Sequence, residues 1–329
     1  MSEYRAWRVY EEDGQFKGRI EALDTDDLPA GEVLIDVKWS SLNYKDALSA
    51  SGNKGVTRKY PHTPGIDAAG VVLESADSRF KPGDEVIVTG FDLGMNTPGG
   101  LGERIRVPAG WVIACPAGLD LRQAMVLGTA GLTAGLSVAA LMERVKPEHG
   151  PVLVTGASGG VGMVAVALLA KLGFEVEAVS GKANASQPLK QLGASRVSGR
   201  DRVDSLPGKP LLKPEWAGVV DTVGGAPLGR LISATAHSGA LTTCGMVAGI
   251  SFESSIFPFI LRGVTLYGID SVEIPLARKA DIWAKFAGEW AVDLSPITHE
   301  TGLEGVGEAV ASLLDGTHSG RTVVRHASA

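Results

Sequence analysis

The chain has 329 residues, 44% of them hydrophobic and 21% charged, with a mean hydropathy of +0.12. This is the make-up of a globular chain of two domains and excludes a disordered or low-complexity one. A net charge of −6 and a pI near 5.6 leave no global field to draw the chain to nucleic acid or an anionic membrane, so anionic ligands must meet local cations.

The start, MSEYRAWRVYEEDG, has no apolar signal core, and no later stretch is expected to supply the roughly eighteen apolar residues of a membrane span. Cys115 and Cys244 lack CxxC spacing and read as buried thiols of a reducing cytoplasm, which is the expected location. Residues 1–120 are expected to be β-rich. Glu32–Trp39 partly alternates in polarity, and Ala69–Leu73 and Glu85–Thr89 are further short strands bounded by Pro and Gly turns. Helical patterning is scarce there. It begins with Gln123–Leu127 and continues through GTAGLTAG into an apolar helical run at Leu132–Met142.

Residues 151–182 carry the strongest local signal. Pro151–Thr155 reads as a short strand, Gly156-Ala157-Ser158-Gly159-Gly160-Val161-Gly162 as a turn, and Val161, Val164, Ala165, Leu168, Leu169 and Leu172 recur with helical period. Gly173 stops the helix, and Phe174–Val179 begins the next strand. In such a β-α-β frame Gly156 permits a sharp reversal, Gly159 and Gly160 permit close approach of a pyrophosphate, and Gly162 permits tight helix–strand packing. The helix N-terminus then faces the phosphates. At the tip of the second strand stand Ser180, Gly181 and Lys182 instead of a carboxylate, which favours a ribose 2′-phosphate and hence NADPH; Arg196 is a second candidate cation.

Helices expected at Gln187–Leu192 and Leu228–Thr235 alternate with strands near Arg196, at Trp216–Thr222, at Gly239–Gly245 and at Gly263–Ile269. This alternation predicts a doubly wound parallel sheet, with ligands at the carboxyl ends of its strands. The resulting rim contains Val223, Gly245, Met246 and Val247. A helical pattern from Pro275 to Trp290, a last amphipathic helix and a basic strand at Arg321–Arg325 complete the chain. The apolar run Pro258–Ser271 is expected to be the last strand of the nucleotide sheet, pairing with a second copy in a homodimer.

The β-rich start, GTAGLTAG, TGASGGVG (155–162) and GRTVV (320–324) together resemble the medium-chain dehydrogenase/reductase superfamily over nearly the whole chain. WSSLNYKDALSASG (39–52), PGIDAAGVV (64–72), GASRV (193–197), DTVGG (221–225) and PFILRGVTLYGIDSV (258–272) resemble its quinone-oxidoreductase-type branch of NADPH-dependent acrylyl-CoA reductases. The resemblance implies an α/β architecture: a GroES-like β-rich catalytic domain (1–121 and 273–329) and a Rossmann NADPH-binding domain (122–272). It also implies that Thr129, Ser271 and Arg321 join the cofactor-binding set. Zinc-binding members carry ligands where this chain has Tyr44, Ile66 and Thr129, so no metal is expected.

A metal-free hydride site suits reduction of an activated C=C bond: hydride to the β-carbon of acryloyl-CoA or a similar short enoyl-CoA, giving propanoyl-CoA. Tyr44 is the expected hydrogen-bond donor or acid near the nicotinamide, Asn43 a positioning donor, and Asp67 the group that orients one of them. Lys45, Arg58, Lys59, Arg262 and Arg321 are candidate cations for the CoA phosphates. His62, His149, His237, His299, His318 and His326 are dispersed without paired-ligand spacing and read as surface or loop residues. Two alternatives keep the same cofactor site: a quinone or enal reductase, and a protein that binds NADPH without turnover.

Overall fold

The computed structural model describes residues 3–327, so residues 1–2 and 328–329 of the predicted β-rich domain lie outside the described residues. The strands are β1 (Glu3–Glu12), β2 (Gln15–Asp24), β3 (Val33–Leu42), β4 (Asp67–Ser75), β5 (Glu85–Thr89), β6 (Arg104–Val107), β7 (Val112–Ala114), β8 (Val152–Val154), β9 (Val176–Val179), β10 (Arg196–Ser198), β11 (Trp216–Asp221), β12 (Thr235–Thr243), β13 (Thr265–Gly268), β14 (Thr298–Thr301) and β15 (Arg321–Arg325). The α-helices are α1 (Tyr44–Ala50), α2 (Leu121–Met142), α3 (Gly160–Lys171), α4 (Ser186–Gln191), α5 (Asp201–Asp204), α6 (Gly225–Ala234), α7 (Phe257–Arg262), α8 (Leu276–Phe286) and α9 (Val306–Leu314).

Two units result: one of residues 1–129, 272–288 and 298–329, the other of residues 130–271 and 289–297. In the first, a seven-stranded sheet runs β14-β15-β3-β4-β5-β7 with β6 also on β3, and β1 and β2 form a separate antiparallel ribbon. Val33, Ile35 and Val37 of β3 point into a core with Val72, Val86, Val88, Ile105 and Val107. Leu34, on the opposite face, is also buried, against Tyr4, Ala6 and Leu28. Burial on both faces explains why this strand alternates only in part.

The second unit is a six-stranded, wholly parallel sheet in the order β10-β9-β8-β11-β12-β13. The order reverses between β8 and β11, which is where a dinucleotide crevice forms in doubly wound sheets. Every residue of β8, β9 and β11 is buried, as a parallel sheet covered on both faces requires. Leu153, Trp216, Val219 and Leu241 meet Leu228, Leu231 and Ile232 of α6 in the core.

Three expectations are corrected. The break between the units falls at 129/130, not 121/122, because Gly128 (φ 52, ψ −155) interrupts α2 and residues 126–129 are held in the first unit by Arg321 and Asp67. Residues 289–297 belong to the second unit, where 295–297 pack beside α4. Residues 257–262 form a helix instead of the start of a strand: Pro258 lies in its first turn and Gly263 closes it with left-handed backbone (φ 62). By length and composition alone α2 would pass for a membrane span, but 83% of its apolar window is buried within the protein and Gly128 breaks its helical backbone.

Candidate functional site

The carboxyl ends of β8, β9 and β11 open on a pocket of about 250 Å³ lined by Thr155, Gly156, Ser158, Val179, Gly181, Lys182, Arg200, Val203, Asp204, Val223, Pro227, Val247 and Ala248. Gly156 has left-handed backbone (φ 56), and a Cβ there would run into Thr222 Oγ1 and lie 2.9 Å from Val223 Cγ1. A Cβ on Gly162 would lie 2.5 Å from Gly156 O, so the start of α3 rests directly on the turn. Gly159 caps α3, and the amides of Gly160, Val161 and Gly162 open the helix without intrahelical acceptors. This is the end of a helix that favours an anion.

At the tip of β9, Ser180 Oγ donates to Ser158 Oγ (2.8 Å) and accepts from the Lys182 amide (3.1 Å), fixing the turn that carries the lysine. The second cation of this pocket is Arg200, whose guanidinium approaches Gly181 so closely that a Cβ there would lie 2.7 Å from its Cζ. Arg196 lines a different cavity, with Glu177, Arg202 and Trp216. The reason is direction: Arg196 begins β10, whereas ligand-facing loops follow strand ends, as Arg200 does. Met246 and Val247 are largely exposed (70% and 79%), and Gly245 allows backbone contact with Thr222, where a Cβ would lie 3.1 Å from its Cα. Ser271 is buried and accepts from Thr133 Oγ1 at 2.8 Å. Burial pushes the nearby Cys244 thiol up to about 12, with Asp221 adding to it, so it stays protonated and is no nucleophile.

In the first unit, Asp67 opens β4 and is fully buried. Its Oδ2 accepts from Ser41 Oγ (2.5 Å), Asn43 Nδ2 (2.7 Å) and the Thr129 amide (2.8 Å), and its Oδ1 from Thr129 Oγ1 (2.5 Å). Asn43 Oδ1 accepts from Arg321 NH1 at 3.3 Å. Both ends of the Asn43 amide are therefore engaged by the protein, and Asp67 orients it. Arg321 also donates to Val126 O (2.9 Å) and Leu42 O (3.4 Å) and is only 3% exposed, so it is no surface cation for CoA phosphates. Burial pulls its guanidinium below the usual arginine value, opposed by Asp67 and Asp46. Arg262 is likewise engaged, clamping Ser233 O, Thr235 O and Leu212 O, whereas Arg58 and Lys59 are exposed.

Tyr44 is the first residue of α1 and is 50% exposed, which leaves its phenol accessible. Asp46, two residues on, accepts from the amides of Asn43 (2.7 Å), Gly65 (3.1 Å) and Ile66 (2.8 Å) and ties the start of α1 to the approach to Asp67. Burial, then Asp67, pushes its carboxyl up to about 7, against the pull of its amide donors. Sequence reasoning passed over Asp46; its signal was an Asn and an Asp three residues apart at the start of a helix. Two histidines are corrected: His62 is buried with Nε2 2.9 Å from Gly94 O, and His326 is buried with Nε2 3.0 Å from Gly100 O.

A parallel sheet with a glycine turn at its switch point, joined to a β-rich unit, defines a nucleotide-dependent dehydrogenase or reductase. The chain belongs to the medium-chain dehydrogenase/reductase superfamily, in its quinone-oxidoreductase-like branch. Residues 29–117 match the alcohol dehydrogenase GroES-like domain and residues 160–284 the zinc-binding dehydrogenase family. It is 43% identical to the acrylyl-CoA reductase AcuI of Ruegeria pomeroyi over 95% of this chain and 96% of that one. Among solved structures it resembles the yhdH oxidoreductase of Salmonella enterica in complex with NADP (43% identity, 98% and 99% of the two chains, TM-score 0.94). It also resembles the Bacillus subtilis protein yhfP with NAD bound (41%, 99% and 100%, TM-score 0.96).

The zinc in the second family description does not fit this donor set. Asp67 is surrounded by hydroxyl and amide donors, and among the described residues no three His, Cys, Asp or Glu side chains stand together as metal ligands. A dinucleotide does fit the second unit, on the glycine turn, the start of α3 and the Lys182–Arg200 pair.

Proposed function

We propose that the protein reduces the C=C bond of acryloyl-CoA, or of a similarly short enoyl-CoA, to propanoyl-CoA with NADPH and without a metal. The observation that carries this reading is the composition of the site. In place of a set of thiolate or imidazole ligands, Asp67 gathers hydroxyls and an amide, and Tyr44, the residue after Asn43 in the chain, is half exposed. The 43% identity to an acrylyl-CoA reductase over nearly the full length supports the substrate class.

NADPH, when bound, supplies the hydride that goes to the β-carbon. The electron pair of the double bond moves toward the thioester carbonyl, and charge develops on its oxygen. Tyr44 donates its O–H to that oxygen, an interaction that strengthens as the charge grows. The α-carbon then takes one proton from solvent water, and hydride plus proton together balance the reduction. Asp67 and Arg321 hold the Asn43 side chain, and Asp46 holds the first turn of α1, so the residue bearing the phenol is fixed in place. Lys182 and Arg200 bind the 2′-phosphate, and Lys45, Arg58 and Lys59 remain the candidates for the CoA phosphates.

The same reading makes the protein a cytoplasmic homodimer. In the second unit, Met246, Val247, Ile250, Ile256, Ile260 and Leu261 are all more than half exposed, and β13 is the edge strand of its sheet.

A panel of acryloyl-CoA, crotonyl-CoA and 1,4-benzoquinone with NADPH and NADH tests the proposal. Acryloyl-CoA with NADPH is expected to give the highest kcat/KM, and Tyr44→Phe to lower it about tenfold or more. Higher turnover of the quinone would replace the reading by a quinone reductase, and NADPH binding without turnover of any acceptor would replace it by a binding protein.

A further inference from the structure

Asp221 lies beneath the nucleotide pocket, is fully buried, and touches none of the space a ligand would fill. Its Oδ1 accepts from Thr155 Oγ1 (2.7 Å) and the Val223 amide (3.3 Å), and its Oδ2 from the Gly224 amide (2.9 Å) and Thr243 Oγ1 (2.9 Å). These donors come from the ends of β8 and β12 and from the loop after β11, so a single carboxylate joins the tips of three adjacent strands at the switch point. The joint is reinforced around it. Thr155 Oγ1 accepts from the Thr222 amide (3.0 Å), Thr222 Oγ1 donates to Thr155 O (2.9 Å), and the Cys244 amide donates to Asp221 O (3.1 Å).

The pocket's walls depend on this joint. Thr155 and Gly156 form one wall, Val223 a second, and Val247 and Ala248 a third, the last tied to Val223 O by the Ala248 amide (2.8 Å). The second wall leads into two successive glycines with left-handed backbone, Gly224 (φ 66) and Gly225 (φ 64). Glycines lose more conformational freedom than any other residue when ordered, so this loop holds one conformation only where outside contacts fix it. A buried carboxylate is otherwise an unfavourable neighbour for phosphates, so its charge does not explain its position.

We infer that Asp221 is a positioning residue for the cofactor: it locks the three walls of the nucleotide pocket in register before the dinucleotide arrives. The inference rests on the reading that this pocket holds NADPH. Binding then meets a preformed site, and the ordering of the Val223–Gly225 loop does not have to be supplied by the ligand.

The test uses the full chain with Asp221→Asn, which keeps shape and one acceptor oxygen but removes the charge, and Thr243→Val, which removes a single donor outside the pocket lining. NADPH affinity is measured by fluorescence titration, with the KM for NADPH, kcat and the thermal midpoint of the unliganded protein alongside. We expect Asp221→Asn to weaken NADPH binding about tenfold and Thr243→Val about threefold, with KM rising in step and kcat at saturating NADPH falling much less. A midpoint that drops while the affinity of the folded protein stays at the wild-type value would overturn the inference and leave Asp221 a structural residue only. Tighter binding by Asp221→Asn would also overturn it, since the charge would then outweigh the positioning. A wild-type protein that fails to bind NADPH would overturn the cofactor reading itself, whereas unchanged affinity in the variants alone would not.

Discussion

Replacing Gly128 by Ala probes the joint between helix α2 and the Asp67 cluster. Gly128 has φ 52 and ψ −155, a conformation open almost only to glycine, and forcing a side chain into it costs about 1–3 kcal/mol. A Cβ there would also lie 2.5 Å from Asp67 Oδ2 and 2.9 Å from Arg321 NH2, and would overlap Ser41 Oγ. All three residues are buried, and Ser41, Asp67 and the Nε and NH1 of Arg321 are held by other bonds, so relieving the overlap adds about 1–3 kcal/mol of overpacking. The sum, about 2–6 kcal/mol, is a large part of the stability of an ordinary domain. Urea unfolding followed by tryptophan fluorescence should move to lower midpoint by about 1–3 M for Gly128→Ala. Gly110→Ala is the control, because nothing lies within 4 Å of its Cβ position and its backbone needs no positive φ. If Gly128→Ala stayed within about 0.5 kcal/mol of the wild type, like the control, the packing argument would be refuted.

Lys182→Ala and Arg200→Ala should each raise the KM for NADPH about five- to tenfold and leave that for NADH nearly unchanged, while Arg196→Ala alters neither; equal effects on both cofactors would remove the 2′-phosphate assignment. His326 is held neutral by burial, its pKa pulled from 6.5 to about 4. The unfolded chain binds the proton first as pH falls, so stability present above pH 6.5 is lost between 6.5 and 4, by about 3 kcal/mol. Denaturation midpoints of wild type and His326→Gln across that range check this, and parallel curves would count against it. Light scattering at micromolar concentration should give a dimer mass for the wild type and a smaller one for Ile260→Glu, whose parent side chain is 65% exposed; a monomeric wild type would end the homodimer proposal.

Much of the architecture was legible because local patterns carried it. The strands at Glu85–Thr89 and Arg321–Arg325 were anticipated residue for residue, and alternating strands and helices correctly announced the parallel sheet. Helices α1 and α7 were passed over because seven and six residues are too few to display a 3.6-residue period, although Asp46, Pro258 and Gly263 were usable boundary signals. Arg200 was also within reach, since parallel strands expose their carboxyl ends to the ligand and Arg196 stands at the opposite end of β10.

By itself, the sequence determined the β-α-β frame, the glycine turn and the lack of a carboxylate at the tip of β9, because each depends on residues close together in the chain. Only the tertiary structure decided that Asp67 gathers Ser41, Asn43 and Thr129, that Arg321 is buried against Asn43, that His62 and His326 lie in the core, and that Asp221 joins three strand tips. Those groups are separated by tens to hundreds of residues, and it is the closing of the sheets that removes them from water and makes each carboxylate depend on donors the chain brings from elsewhere.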